Sequence, residues 1–139
     1  MQKIVIDTNV IISALIHRSY PNFIVNQLFI EQKIQLCISE DLMAEYYEVI
    51  ARPKFSKFQD FFFRAEALLT EIAIKAVKYQ PTQKLHLISD ADDNMILELA
   101  DVCEADFIIT GNKNDFTFPN YKQTKIVSPR EYWENHQPG

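Results

Sequence analysis

Glycine is scarce in this chain, with two residues among 139, and the six prolines are not clustered. That excludes a collagen-like or loop-dominated protein. Cysteine is equally rare, with Cys37 in IQLCI and Cys103 in DVCEADFII, both apolar runs. There is no CxxC pair and no Cys/His cluster, so zinc-binding and disulfide-scaffold classes drop out. Two buried thiols in a reduced, cytoplasmic setting are the expectation. No stretch approaches the roughly 20 apolar residues of a membrane span. The amino-terminal IVI is too short for a signal sequence, so a soluble protein is expected. A positive excess is also missing. Lys and Arg total 14 against 19 Asp and Glu, a net charge of −5. That argues against coating nucleic acid through a broad basic surface, unless several carboxylates bind cations and reverse the local sign.

What is present is enough apolar material, 47% of residues, for one packed core without staples. No linker, repeat or low-complexity tract divides the chain, so residues 1–139 are taken as one domain. Short β-like runs alternate with helical patterns, which predicts a parallel sheet with helices on its faces. KIVI (3–6), IQLCI (34–38) and DFIIT (106–110) read as buried strands, and Lys125–Val127 as a possible fourth. Helices are predicted over about 9–16, 21–32 and from Ser39 to before Pro53. Further helices are predicted over about 54–79, from Asp90 or Ala91 through Cys103, and after the capping box Ser128-Pro129-Arg130-Glu131. Residues 79–88 read as loop or short strand. In such sheets ligands bind beyond the carboxyl ends of the strands.

Carboxylates fall at those junctions. Asp7 ends the first strand, although an Asp there could equally be a helix cap. Glu45 sits six residues after Ser39, on or beside the helix face carrying Leu42 and Val49. Taken singly, it could be an exposed residue at the edge of an apolar stripe. In Ser89-Asp90-Ala91-Asp92-Asp93-Asn94, three acids within four residues repel one another unless a cation is near. Asp90 and Asp92 can be explained as cap and first-turn residues, whereas Asp93 sits where the helix turns toward the core. The last cluster is Thr110-Gly111-Asn112-Lys113-Asn114-Asp115, directly after a buried strand. A glycine there suggests a conformation or close approach that a side chain would block. Oxygen donors without His or Cys suit Mg²⁺ or Mn²⁺.

VIDTNV with Asp7, SEDLMAEYYEVIARPKF with Glu45, DADDNMILELA with Asp93 and IITGNKNDF with Asp115 resemble, in order, the four acidic motifs of PIN-domain ribonucleases. The closing IVSPREYW is similar to a bacterial branch of VapC-like toxins from toxin–antitoxin pairs. The resemblance spans about residues 3–133. It implies a PIN-like α/β/α sandwich with a central, mainly parallel sheet, an acidic pocket holding Mg²⁺ or Mn²⁺, and hydrolysis of RNA. Asp7, Glu45, Asp93 and Asp115 become the catalytic acids and metal ligands. Asn112 stands where this branch often has Asp, so the fourth ligand is Asn112, Asp115 or both. Thr8, Asn9, Ser39, Asp90 and Thr110 would orient the acids. Lys113, Arg52 and Lys54, with His17 and Arg18 as weaker candidates, would meet RNA phosphates. A small antitoxin and a second copy of the chain are the implied partners. For the dimer, the residues themselves add Phe58, Phe61, Phe62 and Phe63, which cannot all face one core.

Two other classes compete. In a phosphoryl-transfer domain Asp7 would be the nucleophile, but the common pattern wants a second Asp at position 9, which is Asn. In a PIN-like binding module the acids would hold RNA or a protein without cutting.

Overall fold

In the computed structural model, residues 1–111, 116 and 118–139 are described. Asn112, Lys113, Asn114 and Asp115 of the sequence reading lie outside them.

Among the described residues six strands form one sheet in the order β3-β2-β1-β4-β6-β5. β1 (Lys3–Ile6) lies inside it, parallel to β2 (Gln35–Ile38) on one side and to β4 (Phe107–Ile109) on the other. β3 (Val77–Lys78) extends the β2 edge in parallel, and β6 (Thr124–Val127) extends the β4 edge. Only β5 (Asn120–Tyr121) is antiparallel, joined to β6 by a tight turn with Lys122 at φ 52°. Chain order reverses between β1 and β4, so the crevice beyond their carboxyl ends is the topological switch point of the sheet.

The continuous apolar runs became the interior strands because both faces of those strands are covered. Ile4, Val5, Ile6, Ile108 and Ile109 are fully buried. α1 (Thr8–Ile16), α3 (Glu40–Ile50) and α4 (Phe61–Lys75) pack on one another, while α5 (Ala91–Cys103) packs on β1, β2 and β4. α2 (Tyr20–Phe23) meets α6 (Pro129–Asn135), which opens with the expected capping box at Ser128 and Glu131. The fold is thus the α/β arrangement, with a mainly parallel sheet, that the resemblance implied. Cys37 and Cys103 are both buried free thiols.

Three expectations need correction. The helix over 54–79 does not exist as one element. Pro53–Phe55 form a 3₁₀ turn, Asp60 takes a left-handed conformation (φ 56°), and α4 runs only to Lys75 before the short β3. Phe55 stacks on Phe61 at 5.0 Å, so packing of aromatic rings fixes the break. The helix over 21–32 is short α2 followed by a π-helical stretch, Ile24–Phe29. Gly111 has no left-handed backbone, and no described atom lies within 4 Å of where a Cβ would stand, so neither reason given for a glycine there holds.

Candidate active site

Asp7 leaves β1 with its backbone N–H bonded to the carbonyl of Ile109 (3.0 Å), which carries the β1–β4 pairing up to the crevice. Its carbonyl accepts from Val10 (3.0 Å), so the backbone starts α1. The side chain does not cap the helix. Its Oδ2 instead accepts from Thr110 Oγ1 (2.8 Å), which follows β4. One hydrogen bond therefore spans the switch point, between groups that are both buried. The cap reading of Asp7 applies to its backbone, while the carboxylate is turned into the crevice.

Glu45 enters from α3. Ser39 caps that helix by accepting from Leu42 N–H (3.1 Å), and Leu42, Tyr46, Val49 and Ile50 bury its inner face. Glu45 lies beside this stripe and is half-buried. Its Oε2 accepts from Thr8 Oγ1, at the start of α1. The next residue, fully buried Tyr46, donates its hydroxyl to the carbonyl of Ile6 (2.5 Å) and so fixes α3 against the end of β1. Burial, reinforced by the charges of Asp7 and Glu45, keeps that hydroxyl protonated far above the usual tyrosine range. Tyr46 was not singled out in the sequence, where it reads as one apolar position among several.

Asp93 sits in the first turn of α5 and is buried. Asp90 is the cap, accepting from Asp92 N–H (2.8 Å). Asn94 ties the preceding loop to the helix. Its Oδ1 accepts from Leu87 N–H (3.1 Å) and Ile88 N–H (3.0 Å), and its Nδ2 donates to the carbonyls of Ile88 (2.5 Å) and Asp90 (3.3 Å). That role is not legible in the sequence, since an Asn after three acids looks like one more surface polar group. Asp92 brings the second surprise. Although it is exposed and on α5, its charge is one of the causes that raise the Glu45 carboxyl on α3.

The electrostatic result is concentrated on Glu45. Burial pushes its carboxyl up to about 7, and the Asp92 and Asp7 charges add to the rise, against the opposing Thr8 hydrogen bond. No Lys or Arg among the described residues pairs with it.

Other expected residues fare differently. Thr8 and Thr110 contact acids, Ser39 and Asp90 serve as helix caps, and Asn9 is exposed with no side-chain hydrogen bond among the described residues. Arg52 is paired with Glu48 (3.0 Å), and exposed Lys54 lies 5.2 Å from the centre of the Phe55 ring. His17 and Arg18 follow the far end of α1, about 14 Å along its axis from Asp7. They are not brought to the acids.

Residues 3–114 match the PIN domain family. The chain belongs to that family. PIN domains are nuclease-type domains that generally use divalent metal ions. The chain is also 31% identical over 144 residues to Uncharacterized protein MJ1680 of Methanocaldococcus jannaschii, a match covering 97% of this chain and 92% of that one. Among the described residues no group of three His, Cys, Asp or Glu side chains converges closely enough to ligate one ion by itself. The donors nevertheless fit a hard cation. Mg²⁺ is commonly held by one or two carboxylates with waters and phosphates completing the shell. A half-buried carboxyl pushed up by burial and by neighbouring acids, with no cationic side chain paired to it among the described residues, also gains from such an ion.

Proposed function

We propose that this PIN domain is a divalent-metal-dependent ribonuclease that hydrolyses RNA phosphodiesters, and that it acts as the toxin of a toxin–antitoxin pair. The observation that carries the nuclease reading is Glu45. At the switch point of a parallel sheet its half-buried carboxyl is raised by burial and by the charges of Asp92 and Asp7, and among the described side chains a threonine hydroxyl opposes the rise.

In this reading one or two of Asp7, Glu45 and Asp93 ligate Mg²⁺ or Mn²⁺ directly and the rest reach it through its waters, with Asn112 or Asp115 as the further donor. When bound, the ion makes a coordinated water easier to deprotonate and neutralises charge on the phosphate and the leaving oxygen. Thr110 keeps Asp7 turned into the crevice, and Tyr46 and Thr8 keep α3 and Glu45 against the end of β1. One of these acids accepts the proton of the attacking water at its carboxylate. Lys54 and Arg52, on the turn after α3, and Lys113 after β4 are the candidate phosphate contacts.

The assembly proposed is a homodimer built on α4. Phe61 is turned into the core, while Phe62 and Phe63 are 53% and 76% exposed and Ile74 is 71% exposed. Phe63 and Ile74 are eleven residues apart, close to three full turns, so they share one helix face. Light scattering of Phe63→Glu against wild type tests this, with a monomer expected from the variant. The toxin role leads to a small antitoxin that co-purifies with the chain and silences it.

The decisive experiment incubates purified protein with single-stranded RNA and duplex DNA, with Mg²⁺ or Mn²⁺, then with EDTA. Cleavage of RNA alone, stopped by EDTA and absent from folded Asp7→Asn, is expected. An RNA left intact under every divalent ion would make the protein a non-catalytic PIN-like binding module.

A further inference from the structure

The connection between α3 and α4 has a composition unlike the rest of the chain. Residues 52–64, RPKFSKFQDFFFR, hold four of the 14 Lys and Arg, one of the 19 Asp and Glu, and five of the ten phenylalanines. A net charge of −5 thus hides one strongly basic, aromatic segment. Packing accounts for part of it. Phe61 is buried, and the Phe55 and Phe58 rings lie beside it, 5.0 and 6.4 Å away between centroids, yet both stay partly exposed. Two Lys-Phe pairs, three residues apart, repeat one arrangement. Lys54 Nζ stands over the Phe55 ring at 5.2 Å, and Lys57 Nζ over the Phe58 ring at 5.3 Å. Among the described residues neither lysine forms an ion pair. Exposed Arg64 also meets no carboxylate there, since its guanidinium donates to the carbonyls of Leu15 (2.7 Å) and Gln59 (3.3 Å).

We propose that this connection is a second RNA-holding surface, outside the acidic crevice, on which unpaired bases stack on Phe55 and Phe58 while Lys54, Lys57 and Arg64 take phosphates. The inference rests on the ribonuclease reading above for the identity of the ligand. Exposed ammonium–ring contacts are weak. A base that takes over a ring therefore frees a lysine at little cost, and a phosphate lies within reach of the freed ammonium. RNA supplies a flat face and a negative charge at every nucleotide. An acidic peptide supplies the charge alone, and a duplex keeps its base faces inside the stack. Arg52 follows Glu45 by seven residues, roughly 10 Å along the axis of α3, so a strand lying on the connection borders the crevice. A chain that is acidic elsewhere then holds a polyanion by one local strip.

The test is fluorescence anisotropy of a labelled single-stranded RNA with the full chain in EDTA, where neither metal nor turnover contributes. Wild type should bind this RNA about fivefold or more tightly than an abasic ribose-phosphate strand of the same length, because the two differ in their bases alone. Phe58→Leu keeps apolar packing beside Phe61 and should lose most of that preference, and Phe58→Trp should restore it. Lys54→Gln/Lys57→Gln alters exposed side chains and leaves the fold intact. It should weaken binding of both strands and lower the slope of log affinity against log salt by about 1.4, the share of two phosphates on a single strand. Equal affinity of wild type for the two strands overturns the proposal, as does an unchanged salt slope in the double variant. Polyglutamate that competes as well as RNA would make the connection a seat for an acidic peptide and overturn it too. A base preference without cleavage under any divalent ion would end the ribonuclease reading and leave the RNA-holding surface standing. Cleavage without a base preference overturns this inference alone.

Discussion

At the carboxyl end of the sheet burial and the charges of Asp92 and Asp7 all raise the Glu45 carboxyl, and among the described side chains only a threonine hydroxyl opposes them. At the opposite end Asp106 and Asp101 have donors. Asp106 accepts from the Lys3 N–H (2.8 Å), and Asp101 accepts from Lys122 Nζ (2.6 Å) and the Tyr121 hydroxyl (3.1 Å). The same strands and the same helix α5 run between the two ends. Helix α5 carries Asp92 and Asp93 in its first turn and Asp101 in its last. A carboxylate that the fold needs is supplied with a partner from within the chain. One that a ligand needs is kept from neutralisation and is a standing cost to the unliganded protein.

The sharpest way to break this comparison is to neutralise one acid at each end. Asp7→Asn should lower RNA cleavage by about a thousandfold or more, since losing several kcal/mol of transition-state charge stabilisation has that effect. Asp106→Asn should leave cleavage close to wild type. Equal losses in initial-rate assays would mean that the two ends do not differ in function.

Asn94 sharpens the comparison, because it sits at the acidic end yet is fully satisfied. Asn94→Ala removes four hydrogen bonds and leaves the Leu87 and Ile88 amides without their acceptor. A loss of about 2–3 kcal/mol is expected, which for a domain of this size lowers the melting temperature by roughly 5–10 °C. Calorimetric melts check it, and Mn²⁺ should recover part of the loss if the loop and the cation site are linked.

Much of this was legible in the sequence, and what was not had definite causes. KIVI and DFIIT could only be buried strands, because uninterrupted β-branched runs of that length suit a covered sheet, and their carboxyl ends located Asp7 and Thr110. The edge strands β3 and β5, two residues each, carry no periodicity to read. The break at Asp60 inside the predicted helix depends on ring packing between Phe55 and Phe61, a tertiary effect. Asp92 was assigned to the helix terminus because local sequence sees only its own element. Its charge acts on Glu45 only once the fold has brought α5 against α3. Tyr46 was missed for the same reason, since its hydroxyl finds the Ile6 carbonyl forty residues away in the chain.

The pH dependence of stability tests the cost of the acidic end directly. Glu45 holds its proton up to about 7 in the folded protein, against an ordinary value of 4.5. Between those values the folded state carries more protons than the unfolded one, so stability falls as pH rises. The contribution is fully present below about pH 4.5 and is lost through about pH 7. In EDTA the melting temperature should therefore decline from about pH 5 to about pH 7.5 more steeply in wild type than in Glu45→Gln. Mn²⁺ should offset the deficit at the higher pH. Parallel profiles for the two proteins would show that Glu45 is not under the strain inferred for it.

The smallest expected effect lies at the opposite end, and its sign matters more than its size. Asp101 has a side chain only 9% exposed, paired with a Lys122 that is 59% exposed. Ion pairs with one solvated partner contribute about 1 kcal/mol or less. Asp101→Asn keeps an oxygen to accept from the Tyr121 hydroxyl but loses the charge that holds Lys122, so the melting temperature should fall by a few degrees at most. Glu45→Gln, measured without metal at about pH 7.5, should move it upward, because it removes a carboxylate that the fold leaves opposed. Cleavage should survive the Asp101 change and suffer from the Glu45 change. Two acids, both partly buried and both contacting another element, would then answer the same neutralisation with opposite signs in stability and in activity. If both variants were destabilised, the crowding of acids around Glu45 would be ordinary structural packing, and the contrast between the two ends of the sheet would be lost.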